Sequence, residues 1–268
     1  MERREFQPGA PEAFSLADGT PQQFHVLGES PCPYLPDRLE RKLITELQDG
    51  NGSARYSSLS RAGFRRSHGF AYRPACSACT SCVPVRVVAR DFVPSRSQKR
   101  VWRRNEGLAA AERPAQATTE QYRLFEAYIG SRHGDGDMAL MSFGDYRSMV
   151  EDSRLDTRLT EFRTPAGRLV AACLADWLED GPSAVYSFFD PALSDRSLGT
   201  HMVLWLIETA RHRGLDYVYL GYWIAESQKM SYKARFHPIE GLAADGWQRF
   251  EAPPDSLQST VQDYNLSA

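Results

Sequence analysis

No run of apolar residues in this sequence approaches the roughly 18 that a membrane-spanning helix needs. Residues 1–14 carry charges and prolines and lack the apolar core of a signal peptide. Cysteine is scarce, with five in 268 residues, and three of the five stand within residues 76–82. This distribution is unlike a secreted disulfide framework. We therefore expect a cytoplasmic protein without a membrane partner.

Charge is nearly balanced over the whole chain, with 32 Lys and Arg against 34 Asp and Glu. The balance is uneven, because residues 61–104 contain eleven Lys and Arg and a single acid, Asp91. A local excess of this size predicts an anionic partner that binds one part of an otherwise acidic protein.

The order of elements in the second half indicates the fold class. Periodicity predicts strands at 158–163, 169–178 and 184–189, then a buried helix at 198–212 and a strand at 217–224. This order predicts an α+β fold with a mixed, acetyltransferase-like (GNAT-type) sheet and flanking helices. A smaller N-terminal domain that contains the cysteines is expected to precede it.

The boundary between the two domains is expected in the Ala- and Pro-rich stretch 107–118. We predict an N-terminal cysteine-motif and basic domain at 1–110, an acetyltransferase-like catalytic domain at 111–250, and a polar C-terminal tail at 251–268.

Two helices are predicted in the N-terminal domain. Leucines that recur every four residues predict one of them over 36–47. The second covers 95–106 and has one continuous cationic face, formed by Arg96, Lys99, Arg100, Arg103 and Arg104. Such a face binds nucleic-acid phosphates electrostatically, and the alternative is an ordinary solvated helix surface.

Three cysteines at two-residue gaps can point toward one ion or cluster. Cys76, Cys79 and Cys82 have this spacing, and Cys32 is the natural fourth ligand. Tetrahedral zinc and cubane iron–sulfur sites each take about four thiolates. The alternative is a set of free thiols in a tight turn. Cys173 lies in an apolar strand pattern and is expected in the core.

A loop before the buried helix resembles the pyrophosphate-binding loop of acetyl-CoA enzymes. It keeps Arg196 and Gly199 but has His201 where those enzymes have a small residue. A bulky side chain there would obstruct a pyrophosphate, and the alternative is an ordinary helix residue.

The strand at 217–224 is rich in aromatic residues. Alternation predicts that Tyr219 and Gly221 share one face of the strand while Tyr222 lies on the other. Lys229 and Lys233 follow it and could bind a carboxylate or a phosphate. The alternative is a partly exposed strand followed by solvated lysines.

Six ordered segments together resemble the arginyl/leucyl-tRNA–protein transferases, and the bacterial leucyl branch most closely. The segments are residues 72–86, 92–100, 183–191, 197–200, 219–224 and 229–234. The resemblance extends over about residues 23–250, nearly the whole chain.

The resemblance implies transfer of leucine from leucyl-tRNA to the N-terminal α-amine of proteins that begin with Asp or Glu, in the N-degron pathway. It implies no cofactor for the transfer itself. The eukaryotic arginyl branch has paired cysteines in its first motif, whereas the comparable stretch here has only Cys32. An iron–sulfur cluster or zinc at the cysteine motif therefore stays an open alternative.

Candidate roles follow for the residues of these segments. Asp190, Tyr219 and Tyr222 are the predicted catalytic residues. Five residues are predicted to bind the acidic substrate: Arg73, Arg86, Lys229, Tyr232 and Lys233. The cations of the helix at 95–106 are predicted to bind tRNA phosphates.

Two other functions stay open on the residues alone. The chain could be an acetyl-CoA-dependent N-acetyltransferase, against which the bulky His201 and the basic helix count. It could also be a non-enzymatic nucleic-acid-binding module with a cysteine metal site, which leaves residues 229–236 without a purpose.

Overall fold

The computed structural model describes residues 14–15, 21–47, 52–132 and 137–249, so the predicted tail at 251–268 lies outside it. The strands in chain order are β1 Phe14–Ser15, β2 Pro21–Gln22, β3 His25–Val26, β4 Ser30–Pro31, β5 Leu39–Glu40, β6 Lys42–Glu46, β7 Arg65–Ser67, β8 Phe70–Pro74, β9 Val83–Val88, β10 Ala109–Pro114, β11 Thr157–Arg163, β12 Leu169–Trp177, β13 Pro182–Phe189, β14 Tyr217–Trp223, β15 Ile239–Ala243 and β16 Gly246–Arg249. The helices are α1 Gly52–Arg61, α2 Arg96–Asn105, α3 Thr119–Arg132, α4 Phe143–Glu151, α5 Leu198–His212 and α6 Gln228–Ser231. Short 3-10 turns cover Ala89–Asp91, Asp137–Leu140, Pro191–Arg196 and Tyr232–Arg235.

Eight strands form the main sheet, in the order β10-β11-β12-β13-β14-β9-β15-β16. Neighbouring strands are antiparallel except β13 and β14, which run parallel. Along the chain, three antiparallel strands are therefore followed by the buried helix α5 and then by a strand parallel to the third. This order confirms the predicted α+β fold with a mixed, acetyltransferase-like sheet.

Helices cover both faces of the main sheet. Along β12, Ala171 and Cys173 belong to the core that contains α5, as predicted for Cys173. The intervening Ala172 and Leu174 belong to the core that contains α3 and α4. Alternate side chains of a strand point to opposite faces, so the two cores lie on the two sides of the sheet. Within the described ranges no helix is long and apolar enough to span a membrane.

A second sheet of four strands, in the order β3-β6-β8-β7, lies in the N-terminal part of the chain. Phe24 and Phe64, which immediately precede β3 and β7, share a core with Tyr56 of α1 and Tyr219 of the main sheet. Strand β9 comes from the first 110 residues but pairs with β14 and β15 of the main sheet. The division of the chain near residue 110 stays a prediction.

The predicted helix over 36–47 is wrong, because this segment forms β5 and β6. A spacing of four between leucines suits a helical face, but four is also an even number, so it suits one face of a strand equally. The β-branched Ile44 and Thr45 favour the extended form. Strand β6 pairs with both β3 and β8, and the burial of Thr45 in this sheet decided the conformation.

A β-bulge interrupts the pairing of β14 with β9. Tyr219 is opposite Arg86 and Gly221 is opposite Val85, so Leu220 is the extra residue. The prediction that Tyr222 lies on the face opposite to Tyr219 is therefore wrong. One inserted residue reverses the alternation, and it turns the Tyr222 side chain toward the N-terminal sheet.

Candidate functional site

Strands β13 and β14 diverge and leave a crevice between them. Within the described residues, these two strands pair at a single position, where Ser183 lies opposite Tyr219. Beyond that pair, residues 184–187 of β13 are half-buried, while the residues on either side of them are buried. The crevice therefore opens the middle of the main sheet to other groups.

Arg65 of β7 reaches into this crevice from the N-terminal sheet. Its Nη2 donates to the carbonyl oxygens of Ala184 at 2.7 Å and Val185 at 3.2 Å. A β-carbon on Gly221 would come within 1.9 Å of Arg65 Nη1, and Gly221 has a φ of +74°. Both the contact and the backbone conformation therefore require glycine at this position.

Lys233 lies beside Tyr222, the residue that follows Gly221 in β14. Lys233 is only 4% exposed. Its Nζ donates to the Tyr222 carbonyl oxygen and contacts the Met230 sulfur at 3.1 Å. Burial, and next the charge of Arg65, lower the pKa of Lys233 well below its ordinary value. Among the described residues neither Arg65 nor Lys233 has a carboxylate partner.

A cavity of about 360 Å³ lies between the N-terminal sheet and strands β9, β14 and β15. Tyr34, Tyr72 and Tyr222 line it. The Tyr222 hydroxyl is shared between the carbonyl oxygens of Gly63 and Tyr72, each at 3.0 Å. These bonds hold the ring between the two sheets, so Tyr222 shapes the cavity wall.

The charged side chains that line the cavity are mostly basic. They are Arg38, Lys42, Arg73 and one acid, Glu40. Glu40 is already paired with Lys42 at 2.6 Å. In the described part of the chain, neither Arg38 nor Arg73 forms an ion pair with a carboxylate, so the cavity favours an anionic guest.

All four predicted metal ligands line this cavity. Arg38 donates to the Cys79 sulfur at 3.2 Å, and the Arg41 amide donates to the Cys76 sulfur at 3.4 Å. Burial, and next the neighbouring cysteines, raise the pKa of Cys82 to about 12. Among the described residues no group of three or more His, Cys, Asp or Glu side chains is arranged to hold a metal ion. These side-chain positions therefore give no support to the predicted zinc or iron–sulfur site.

Two of the predicted catalytic residues are engaged elsewhere. Asp190 caps the turn before α5, where its carboxylate accepts from the Ala192 amide at 2.9 Å and from Arg168 at 2.5 Å. Tyr219 is buried and donates to Asp180 at 2.9 Å. Burial, and next the charge of Asp180, raise the pKa of Tyr219. Their catalytic roles stay predictions.

The residues predicted to bind an acidic substrate fall into two groups. Arg86 is buried, forms an ion pair with Glu240 at 2.8 Å and lies 3.5 Å from the Tyr217 ring centre, so its contacts are structural. The exposed group is Arg73, Lys229 and Tyr232, and Lys233 is the buried member beside the crevice.

The predicted cationic helix face exists as an exposed surface of α2. Its five cations are all exposed: Arg96, Lys99, Arg100, Arg103 and Arg104. The opposite side of α2 is buried through Gln98, which donates to the Arg235 carbonyl, and Asn105, which donates to the Arg196 carbonyl. Ser95 and Gln98 form a capping box that begins the helix.

His201 packs in the core between α5 and its neighbours. It is 5% exposed, and its ring lies 5.3 Å from that of Trp102 and 5.5 Å from that of Phe162. Burial, and next the charge of Arg196, lower the pKa of His201 to about 4. The residue is therefore a neutral core side chain.

Sequence reasoning missed Arg65, the residue that fills the crevice. It stands in an Arg-Arg pair within a basic stretch, where no local pattern separates it from its neighbours. The one signal was Gly221, a glycine inside a strand pattern, which indicates a bulge or a close approach.

Comparisons with known proteins agree with the motifs. The family model described as "Arginine-tRNA-protein transferase, C terminus" matches residues 120–243, and its N-terminal counterpart matches residues 30–100. An "Aspartate/glutamate leucyltransferase" of Paramagnetospirillum magneticum is 59% identical and covers 88% of this chain and 96% of that protein. One of Rhodospirillum rubrum is 54% identical and covers 86% and 94%.

A solved structure, that of L-PGS from Bacillus licheniformis, has a TM-score of 0.45 and 11% identity over 79% of this chain and 68% of that chain. The identity with the leucyltransferases extends over nearly their whole length, and the two family models together match residues 30–100 and 120–243. The chain therefore belongs to the aminoacyl-tRNA–protein transferase family.

Proposed function

We propose that this protein transfers leucine from leucyl-tRNA to the N-terminal α-amine of proteins that begin with Asp or Glu. The observation that carries this proposal is the 59% identity with a protein named aspartate/glutamate leucyltransferase, over 96% of its length. The cation-lined cavity and the exposed basic helix are the features that two anionic substrates would need.

The cavity is the proposed site for the acceptor protein. It lies between the two sheets, and its basic lining suits an acidic N-terminal segment. Arg38 and Arg73 supply positive charge at the cavity wall without a carboxylate of their own in the described chain. Planar guanidinium groups bind carboxylates with two parallel hydrogen bonds.

The exposed face of α2 is the proposed site for the tRNA backbone. Its five exposed cations lie on a helix that is anchored on its other side, and one of them, Arg104, also donates to the Asp195 carbonyl oxygen. The charges are therefore presented on a rigid element. Binding to such a surface releases counterions from the nucleic acid and weakens steeply with salt.

The transfer needs no covalent enzyme intermediate, because the leucyl ester of the tRNA is already activated. The neutral α-amine attacks the ester carbonyl carbon, a C–N bond forms, and the C–O bond to the ribose breaks. The proton that the amine loses is finally carried by the ribose oxygen. An α-amine has a pKa of about 7.7–8.0, so a sizeable fraction is neutral near pH 7, and positioning can supply much of the rate.

A transfer assay tests the proposal. Purified protein is mixed with leucyl-tRNA or arginyl-tRNA and with peptides that begin Asp, Glu, Ala or Lys. We expect leucine on the Asp and Glu peptides alone. Arginine on those peptides would change the donor, and no transfer from either tRNA would overturn the proposed function.

A further inference from the structure

Two cations lie against consecutive residues of β14 at the inner end of the crevice. The Arg65 guanidinium lies against Gly221, and the Lys233 amine donates to the carbonyl of Tyr222. Each approaches from a different part of the chain, β7 in one case and the turn after α6 in the other. The fold therefore gathers two positive groups at one point of the main sheet.

Among the described residues, the two buried arginines, Arg66 and Arg86, are each neutralised by a carboxylate. Arg66 pairs with Asp176 at 2.8 Å, and Arg86 pairs with Glu240 at 2.8 Å. Arg65 and Lys233 have carbonyl oxygens and a thioether sulfur as partners, and in the described chain no carboxylate. Arg65 is half-buried and Lys233 is buried. A cation without a carboxylate is costly in a protein interior, so this site is suited to an anion that arrives with a ligand.

Both groups keep donors for such an anion. A guanidinium has five N–H donors and an ammonium has three. Arg65 uses Nη2 for the two carbonyls of β13, which leaves Nη1 and Nε without a partner in the described residues. The strand pairing sets Arg65 opposite Tyr72, whose side chain lines the cavity, and Tyr222 lines it as well. Arg65 and Lys233 are not among the residues that line the cavity, so the spare donors lie beside the tyrosines of its wall and not in the cavity itself.

We propose that Arg65, with Lys233 beside it, binds the side-chain carboxylate of the acceptor's first residue and determines the preference for Asp and Glu over Asn and Gln. This inference rests on the proposed function. In this inference Arg65 takes the carboxylate-binding role that was predicted for Arg86, because the buried Arg86 guanidinium is already paired with Glu240. Lys233 keeps its place in the predicted substrate-binding set.

The state of Lys233 agrees with this role. Burial and the charge of Arg65 lower its pKa in the free protein. A carboxylate bound between the two groups would favour the charged amine again, since an opposite charge within a few ångströms stabilises the ion. An amide in place of the carboxylate would neither compensate the Arg65 charge nor favour the charged form of Lys233, which is the physical basis of the selectivity.

The test compares four peptides that differ only in their first residue, Asp, Glu, Asn or Gln, with leucyl-tRNA as donor. The variants are Arg65→Met, Arg65→Lys and Lys233→Met, and the control is Arg235→Met, an exposed cation two residues from Lys233. Steady-state kinetics give kcat and KM for each peptide and KM for leucyl-tRNA. Thermal unfolding checks that each variant is folded.

We expect Arg65→Met to raise KM for the Asp peptide by about 50-fold, with a smaller change for the Asn peptide and none in KM for leucyl-tRNA. Arg65→Lys should recover part of the loss. Lys233→Met removes no contact between the two sheets. If Arg65→Met does not fold, Lys233→Met therefore tests whether this cation pair binds the acidic side chain. Arg235→Met should behave as the wild type.

An equal loss of kcat on acidic and amide peptides, with KM for the Asp peptide unchanged, would overturn the inference and indicate a role at the ester carbonyl. A rise in KM for leucyl-tRNA would overturn it in favour of a donor site. If the wild-type protein transfers leucine to none of the four peptides, the proposed function itself fails, which is a different result from selective failure of the variants.

Discussion

Arg66 and Asp176 form a bidentate ion pair in which both side chains are wholly buried. Nε and Nη2 of Arg66 donate to the two carboxylate oxygens at 2.8 and 3.0 Å, and Thr157 donates to one of them at 2.6 Å. Arg66 belongs to β7 and Asp176 to β12, so this pair joins the N-terminal sheet to the main sheet. The same strand β7 carries Arg65, and the pair therefore also sets the position of the crevice arginine.

Loss of this carboxylate should destabilise the protein strongly. We expect Asp176→Asn to lower the free energy of unfolding by about 3–5 kcal/mol, because it leaves the Arg66 charge buried without its partner. Asp156→Asn is the control, because its pair with Arg158 is exposed and should be worth at most about 1 kcal/mol. Urea unfolding measures both, and similar values for the two variants would contradict the prediction.

A β-carbon at Gly221 should displace Arg65 from the crevice. Gly221→Ala would bring Cβ within 1.9 Å of the guanidinium and would strain a backbone with φ of +74°. We expect a loss of about 2 kcal/mol or more in unfolding free energy, together with reduced transfer. Gly107→Ala is the control, because its β-carbon would meet open space. Equal stability of the two variants would count against the close contact.

His201 should make stability depend on pH. Its pKa is about 4 in the folded protein, against an ordinary value of 6.5. Between these values the unfolded chain binds a proton that the folded chain does not, so the free energy of unfolding rises with pH across this window. The full effect is at most about 3 kcal/mol.

His201→Phe should remove this dependence, which urea titrations between pH 4 and 7 measure. His25→Gln is the control, because His25 is exposed on β3. A wild-type slope that persists in His201→Phe would assign the pH dependence to other groups.

The α2 face should govern the salt dependence of tRNA use. Arg100→Gln and Arg103→Gln should each raise KM for leucyl-tRNA and lower the slope of log affinity against log salt by about one. KM for the acceptor peptide should stay constant. Arg113→Gln, at an exposed position on β10, is the control. Unchanged salt slopes in both α2 variants would move the tRNA site elsewhere.

The helices and most strands of the second half follow from local pattern. The helix predicted at Leu198–His212 has those bounds in the structure. Apolar periodicity carries this information, because a helix in contact with a sheet must turn its apolar residues toward that sheet. The helix predicted over 36–47 is wrong because a spacing of four suits both a helix and a strand, and pairing with β3 and β8 decided between them.

The candidate site depends much more on tertiary structure. The sequence by itself determined the family motifs, the basic face of α2 and the cysteine-rich segment, since each is a local pattern of residue types. It did not reveal that Arg65 meets Ala184, 119 residues away, or that one inserted residue at Leu220 turns Tyr222 toward the cavity. Contacts between distant segments and the register of a bulged strand arise only when the two sheets pack together. The packing of the two sheets therefore decided which cations lie at the crevice and which have carboxylate partners.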